Sequence, residues 1–399
     1  MPDDSYIIFG KPLIGEEEIA EVTDCLRTAW LGTGPKVKRF REEFCKYTGA
    51  PYAEALHSCT AALFLAQLGL RIGPGDAVVT TPMTFCGTAN SVRHAGATPL
   101  FADIERDTGL LDPDEVERLL VEDCDVDDAD GRPVHRATGA KVRALLPVHF
   151  WGQPADVGRF RELCKRYNLY LIEDAAHAIE TTYGEERIGT TADVTCFSFY
   201  STKNLCTGEG GMITTPYEEV ALRVRELALH GLSKDAWKRF SDEGYRHYVV
   251  RETGWKFNMM DLQAAIGIHQ LAKIETMHAE RERQWAAYLE DLADVPHIRL
   301  PPPQAKHGRH ARHLFTLSVL PSSPVSRDRF ITEMHSRGVG TSVHYLSLSE
   351  FPAYENQMNV PVPNSEAVAR ETVSIPLGGA LTEEQRQRVV RAIVDSLAA

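Results

Sequence analysis

The chain has 399 residues, 43% of them hydrophobic and 25% charged, enough for a large core and for two or three domains. Its 43 basic and 56 acidic residues give a net charge of −13, which argues against sequence-independent binding to nucleic acid or to an anionic membrane. No apolar run approaches the roughly 20 residues that span a bilayer, and the opening MPDDSYIIFGKP lacks the basic and apolar regions of a secretory signal. The eight cysteines are scattered with no C-x-x-C pair, as expected of reduced thiols in a cytoplasmic protein rather than of a disulfide framework or a zinc site.

Residues 59–69 (CTAALFLAQLG) predict a short apolar helix, with Ser58 or Thr60 to cap its start and Gly69 to close it. GPGDAVVTTP reads as a turn and a strand, because Gly73, Pro74 and Gly75 punctuate a β-branched run. Helix NSVRHAG, strand TPLFADI, helix DPDEVERLL, strand VRALLPVHF, helix VGRFRELCKRY and strand LYLIED follow. Strands apolar on both faces alternate with helices, the pattern of a mostly parallel central sheet flanked by helices. Residues 122–140 (EDCDVDDADGRPVHRATGA) are acidic and unpatterned and predict a solvated insertion.

Another strand-like run covers 194–200. Residues 233–252 predict a charged, aromatic surface excursion near substrate or a subunit contact. From 262 to 292 the pattern is one long helix joining two domains. HGRHARH (307–313) reads as a solvated loop, since no second ligand cluster accompanies its histidines to make a metal site. A strand at 314–320, a helix around 326–337, VGTSVHY and a helix at 382–398 then suggest a smaller α+β domain. The expected division is a large domain over 1–275, including an N-terminal segment 1–30, and a small C-terminal domain over 276–399.

Two segments carry chemistry. LIEDAAHAIE ends an apolar run in Glu173 and Asp174, with His177 three residues on and, if AAHA is helical, on the same face. CFSFYSTKNLCTGEGGM delivers Ser198 and Lys203 into a glycine-rich turn. A carboxylate at one strand end and a lysine after the next suit pyridoxal phosphate (PLP): the lysine holds the cofactor as a Schiff base, and Asp174 keeps the pyridine nitrogen protonated. Apolar surroundings lower a lysine's pKa and favour the neutral amine. The bland readings are a solvated lysine, an N-cap aspartate and a core histidine. Ser58-Cys59-Thr60 opens a helix whose free N–H groups and dipole favour a phosphate, which Ser198 could join. Phe85, after a strand, could stack on a flat ring or belong to the core.

Taken together, these segments resemble the DegT/StrS-like sugar-nucleotide aminotransferases, PLP enzymes of fold type I. KPLIGEEEIAEV, AWLGTGPKVKRFREEF, SCTAALFLA, GPGDAVVTTPMTF, GATPLFADI, LPVHFWGQPADV, EDAAHA, FSFYSTKN, TGEGGM, WKFNMMDLQAAIG, RDRF and VHY stand in the family's order nearly end to end. The resemblance implies that Lys203 forms the internal aldimine and shuttles the proton, that Asp174 faces the ring nitrogen, and that His177 lies by the ring hydroxyl. Phe85 would stack on the pyridine. Thr60, Ala61 and Ser198 would bind the phosphate, with Asn258 supplied by the neighbouring subunit of a homodimer with shared active sites. Thr33 and His344 match positions near the nucleotide sugar. Departures are Gly32, where the family often has a second threonine, Trp151 at a position often small, and the long insertion at 122–140.

The implied activity moves an amino group from glutamate to a nucleotide-linked keto sugar. The STKN–GEGGM wording looks more like members that act on 4-keto-6-deoxy sugars, dTDP- or UDP-linked. Amination of a keto-cyclitol is an alternative. So is a PLP-dependent sugar dehydratase, against which Lys203 speaks, because such members carry histidine in its place. A non-catalytic scaffold is disfavoured by the complete set of Lys203, Asp174 and Ser198.

Overall fold

The computed structural model describes residues 6–232, 249–302, 304–355 and 357–398; most of the 233–252 excursion lies outside them. Helices α1 (Glu16–Thr28) and α2 (Pro35–Thr48) lead into strand β1 (Tyr52–Leu56), and Pro35 begins α2 where a missing N–H costs nothing. Then come α3 (Cys59–Gly69), β2 (Asp76–Thr80), α4 (Cys86–His94), β3 (Thr98–Phe101) and α5 (Pro113–Glu122). They are followed by β4 (Cys124–Val126), β5 (Pro133–His135), β6 (Lys141–Leu146), α6 (Val157–Tyr167), β7 (Tyr170–Asp174) and the two-stranded ribbon β8 (Thr182–Tyr183) and β9 (Glu186–Arg187). Strands β10 (Val194–Ser198) and β11 (Gly211–Thr215) and helix α7 (Glu218–Leu227) complete this part.

The main sheet runs β1-β11-β10-β7-β6-β2-β3. Pairings β10–β7, β7–β6, β6–β2 and β2–β3 are parallel, and β11 alone on this path runs antiparallel to its neighbours. Both faces are covered. Val78, Ala144, Ile172, Cys196 and Ile213 pack beneath α3, and Phe197 and Phe199 pack on the other side against Phe40 and Phe44 of α2, with Phe44–Phe197 ring centroids 5.1 Å apart. At the β3 edge the Asn359 side chain pairs with both Phe101 N–H (2.6 Å) and Phe101 C=O (3.0 Å), closing strand valences that would otherwise invite another chain.

Beyond α8 (Asp261–Ala272) and α9 (Ile274–Asp291), strands β12 (Ile298–Arg299), β13 (Phe315–Val319) and β14 (Thr372–Ile375) form an antiparallel sheet with α10 (Arg327–Ser336), α11 (Pro363–Glu371) and α12 (Glu383–Leu397). Trp285 and Tyr288 of α9 share its core with Phe315, Phe330 and Ile393, and Ile7 pairs with Val339.

Four sequence expectations need correction. The 122–140 segment is not an unpatterned loop: β4 and β5 pair as a hairpin, and β5 touches β6 through Val134–Lys141, with Asp127 and Asp130 held on the Lys141 ammonium at 2.5 and 3.1 Å. The acidic run therefore neutralises a strand-borne lysine. The single helix over 262–292 is two, because the backbone leaves helical angles at Lys273 (φ −105°, ψ 8°), whose ammonium reaches Glu18 of α1 at 2.6 Å. Gly69 does not close α3; Leu70 is the cap, and Gly69 gives room to Val220 and Val224 of α7. AAHA after Asp174 is a turn, since Ala175 N–H is drawn to Cys196 C=O (2.8 Å) before a helix can start.

Phe44 is fully buried against three aromatic rings. Phe44→Ala should destabilise the protein by about 3–5 kcal/mol, read from the midpoint of chemical denaturation. A loss below about 1 kcal/mol would mean that α2 does not hold this face of the sheet.

Candidate active site

Strands β7 and β10 are adjacent and parallel, with Cys196 beside Asp174, so their carboxyl ends open at the same place. In such sheets that is where ligands sit. Asp174 ends β7 and is buried; its Oδ2 accepts from Thr88 Oγ1 at 2.8 Å and its Oδ1 from Ala176 N–H at 3.0 Å. The second bond makes an Asx turn, which settles the N-cap alternative against a helix. Burial raises the Asp174 pKa against the lowering effect of those donors and of Lys203.

Lys203 follows β10 on a loop closed by Phe199 N–H to Gly210 C=O and Thr207 N–H to Phe199 C=O, both 2.9 Å, with its own N–H on Tyr200 C=O. The residue is half-buried. Desolvation, opposed by Cys59 and Asp174, brings its pKa down to about 8. The solvated-lysine reading fails.

His177 is buried, with Nε2 3.1 Å from Tyr345 Oη and no partner on Nδ1. Burial, reinforced by the positive field of Lys203, holds its pKa well below the usual histidine range. Burial also pushes the Tyr345 phenol up, so it stays protonated. When that phenol donates to Nε2, the imidazole carries its proton on the free Nδ1. His344 lies alongside, its ring centroid 6.1 Å from His177 and its Nδ1 2.9 Å from Ser374 Oγ; burial lowers its pKa to about 3. Phe85, at the start of α4, is 59% exposed, and its ring lies 6.0 Å from Tyr345. An aromatic so exposed at the mouth of the site is not a core residue.

The start of α3 forms the site's other wall. Ser58 Oγ accepts the Ala61 N–H at 3.1 Å, so Ser58, not Thr60, is the cap. Ala61 N–H is thus engaged, and among the described residues the N–H groups of Cys59 and Thr60 have no acceptor. Gly211 of β11 must be glycine here, because a Cβ would lie 2.5 Å from the Ser58 carbonyl carbon and oxygen. Ser198, at the end of β10, pairs with Gly211 and so stands beside this helix start.

Thr33 and Asn258 are not in this cluster. They bond to each other, Asn258 Nδ2 to Thr33 Oγ1 at 2.5 Å, and line a cavity of about 490 Å³ with Trp30, Arg41 and Arg225. Asn258 Oδ1 is buried without a partner.

Sequence reasoning missed several neighbours. His310 and His313 are buried, not on a solvated loop, and His313 stacks edge-on to His177 at 5.2 Å. Spacing within HGRHARH carries no signal for this, because the contact that draws the segment inward comes from another part of the chain: Ala311 N–H donates to Gly152 C=O at 2.9 Å. Trp151 adopts φ 54° and donates its indole N–H to His344 C=O at 3.0 Å, so this departure from the family packs under a site residue. Thr88 was detectable only as a hydroxyl one turn after Phe85. Tyr345 was visible as the last letter of VHY.

The donor set fits PLP. A desolvated lysine, a buried carboxylate for a cationic ring nitrogen, a neutral imidazole with a free N–H, an exposed aromatic face and two free helix N–H groups each match one part of the cofactor. Fold and site together define a PLP-dependent enzyme of fold type I. The comparisons carry this to an activity: a model of the DegT/DnrJ/EryC1/StrS aminotransferase family matches residues 12–394. The chain belongs to that family and is a PLP-dependent aminotransferase. It is 41% identical over 395 residues to SpsC, a spore coat polysaccharide biosynthesis protein of Bacillus subtilis, covering 98% of this chain and 97% of SpsC. Its fold matches the PLP form of Spr1654 from Streptococcus pneumoniae with a TM-score of 0.86 at 28% identity, over 98% of this chain and 99% of that one. DesI, solved in the presence of its TDP-sugar product, matches with a TM-score of 0.84 at 27% identity, over 99% and 94% of the two chains.

Two outcomes are expected. For Lys203 as the cofactor-bearing residue the neutral amine is the reactive form, and with a pKa near 8 its fraction reaches one half at about that pH and levels about one unit above it. The rate at which PLP loads onto apoprotein, followed by absorbance, should show the same profile; a rate still climbing through pH 9–10 would contradict a desolvated lysine. Thr88→Val removes a donor from the buried Asp174 carboxylate and should weaken PLP binding about 10-fold, measured by titration of the apoprotein, with an unchanged Kd sinking the assignment.

Proposed function

We propose that the protein transfers an amino group from glutamate to a nucleotide-linked keto sugar, of the 4-keto-6-deoxy class. The observation that carries the reading is the pairing of a lysine whose pKa is lowered to about 8 with the buried Asp174 at adjacent strand ends. When bound, PLP supplies the carbonyl that exchanges nitrogen and a cationic ring that draws electron density from the reacting carbon.

In this reading Lys203 would hold the cofactor, and its Nζ, in the neutral form, would take and return a proton at the reacting carbon. Asp174 would pair with the ring nitrogen, and the Thr88 hydroxyl and Ala176 N–H favour its ionised form for that role. His177 Nδ1 would serve the ring hydroxyl, Phe85 would cover the pyridine, and the Cys59 and Thr60 N–H groups with Ser198 would take the phosphate. Ala61 contributes by locking the cap rather than by its own N–H.

Asn258 and Thr33 act on the site of a second copy in a cytoplasmic homodimer, a reading supported by the unpartnered Asn258 Oδ1. His344 faces the sugar. The segment 276–399 serves as the small domain. Support for the acceptor comes from DesI and its TDP-sugar product, and from the polysaccharide pathway in SpsC's name.

Glutamate added to the PLP-loaded protein should convert the cofactor to pyridoxamine phosphate with release of 2-oxoglutarate. That form, offered a panel of nucleotide-linked keto sugars, should be consumed by a 4-keto-6-deoxy member. Borohydride should trap PLP on Lys203, and Lys203→Ala should abolish turnover. Protein that binds PLP but ignores glutamate favours the dehydratase reading; consumption by a keto-cyclitol alone replaces the acceptor.

A further inference from the structure

The Lys203 loop hangs from a buried ion pair that the chemistry above does not use. Glu180 is fully buried three residues beyond His177, and Arg281 of α9 is buried opposite it. Arg281 Nη2 binds Glu180 Oε1, and Arg281 Nε donates to Ala311 C=O at 3.3 Å. The other Glu180 oxygen, Oε2, accepts from Asn204 Nδ2 at 2.6 Å, and the same amide nitrogen lies 3.4 Å from Ala311 C=O. Asn204 is the residue after Lys203, and its Oδ1 is buried with no partner.

Two charges removed from water need close mutual contact and full hydrogen bonding to be tolerated, and a hydrophobic pair of similar volume would serve stability as well or better. Their retention here has a geometric correlate. One pair joins three segments that are distant in sequence: the turn after Asp174, the Lys203 loop and the 310–313 stretch that brings His313 to His177. α9 holds that stretch a second time through His278 Nε2 on His310 C=O at 2.8 Å.

We propose that Glu180 and Arg281 are positioning residues for the amino-transfer reaction, acting through the Asn204 side chain to fix the Lys203 amine in the site. Backbone bonds close the Lys203 loop at its base, through Phe199, Thr207 and Gly210. Of the side-chain bonds made by residues 203–205, those of Asn204 tie the loop's tip to the rest of the protein. Without it the tip keeps its turn but loses its depth. Lys203 then samples more hydrated positions, away from Asp174 and Cys59 and from the neutral rings of His177, His313 and His344, which feel its charge.

The proposal rests on Lys203 as the cofactor-bearing lysine, and borohydride trapping on the wild-type protein tests that separately. The deciding variant is Asn204→Ala, which leaves the ion pair intact; the charge-neutral double variant Glu180→Gln/Arg281→Met is the second. Both are compared with wild type by the pH profile of PLP loading onto apoprotein, by single-turnover reaction of the loaded protein with glutamate, and by thermal unfolding. Asn204→Ala should move the loading midpoint upward by at least half a pH unit and slow the single turnover 10- to 100-fold, with glutamate KM changed less than 3-fold. The double variant should do the same, and Asn204→Asp, returned towards Arg281, should not restore the rate because a second carboxylate faces Glu180. A wild-type midpoint and rate in Asn204→Ala, whatever happens to its thermal stability, would overturn the proposal and leave the pair a structural one.

Discussion

The proposed chemistry depends on desolvating one lysine, Lys203, near one carboxylate, Asp174. A lysine in solvent is almost wholly protonated at neutral pH, and a carboxylate in solvent would not hold a ring proton against competition from water. Burial alone would neutralise both groups by shifting their pKa values towards each other. The structure opposes that outcome for Asp174 with two directed donors, Thr88 Oγ1 and Ala176 N–H, and permits it for Lys203, whose pKa comes down to about 8. The asymmetry suits the proposed chemistry: the donors favour the Asp174 anion, and desolvation brings the neutral form of the Lys203 amine within reach.

The parallel sheet supplies the location. Because β7 and β10 run in the same direction, their carboxyl ends open together, and a short turn after one and a closed loop after the other bring Asp174 and Lys203 near enough to feel each other's charge. The antiparallel β11 then lays Gly211 against the start of α3, which only a residue without a side chain allows, and this sets the free helix N–H groups beside Ser198. Around this frame His177, His313 and His344 are kept neutral by burial, and the positive field of Lys203 adds to that. Neutral imidazoles can donate and accept without competing for the negative charge of Asp174.

Much of the fold was legible in the chain. The helix VGRFRELCKRY occupies the residues its apolar period predicts, and the β-branched runs after glycine and proline turns are the strands of the main sheet. The site was legible where local chemistry is unusual: a lysine between an apolar strand and TGEGG, a carboxylate at the end of LIED. It was illegible where tertiary contacts override local pattern. The polar hairpin at 122–140 owes its order to Lys141 on β6, and the break at Lys273 carries no glycine or proline to mark it. HGRHARH looks solvated because its residues are polar, yet His310 and His313 are buried by contacts with α9 and Gly152.

By itself, then, the sequence determined the element order and the sheet class and singled out Lys203 and Asp174 as the candidate lysine and carboxylate, because each follows from short-range periodicity and residue type. Only the tertiary structure decided which groups surround them. Thr88, Tyr345 and His313 come from an early helix and two late segments, and Glu180, Arg281 and Asn204 meet across about a hundred positions of chain. No local pattern encodes such meetings, since they are fixed by burial of the two cores and by the requirement that every charge left inside finds its partner.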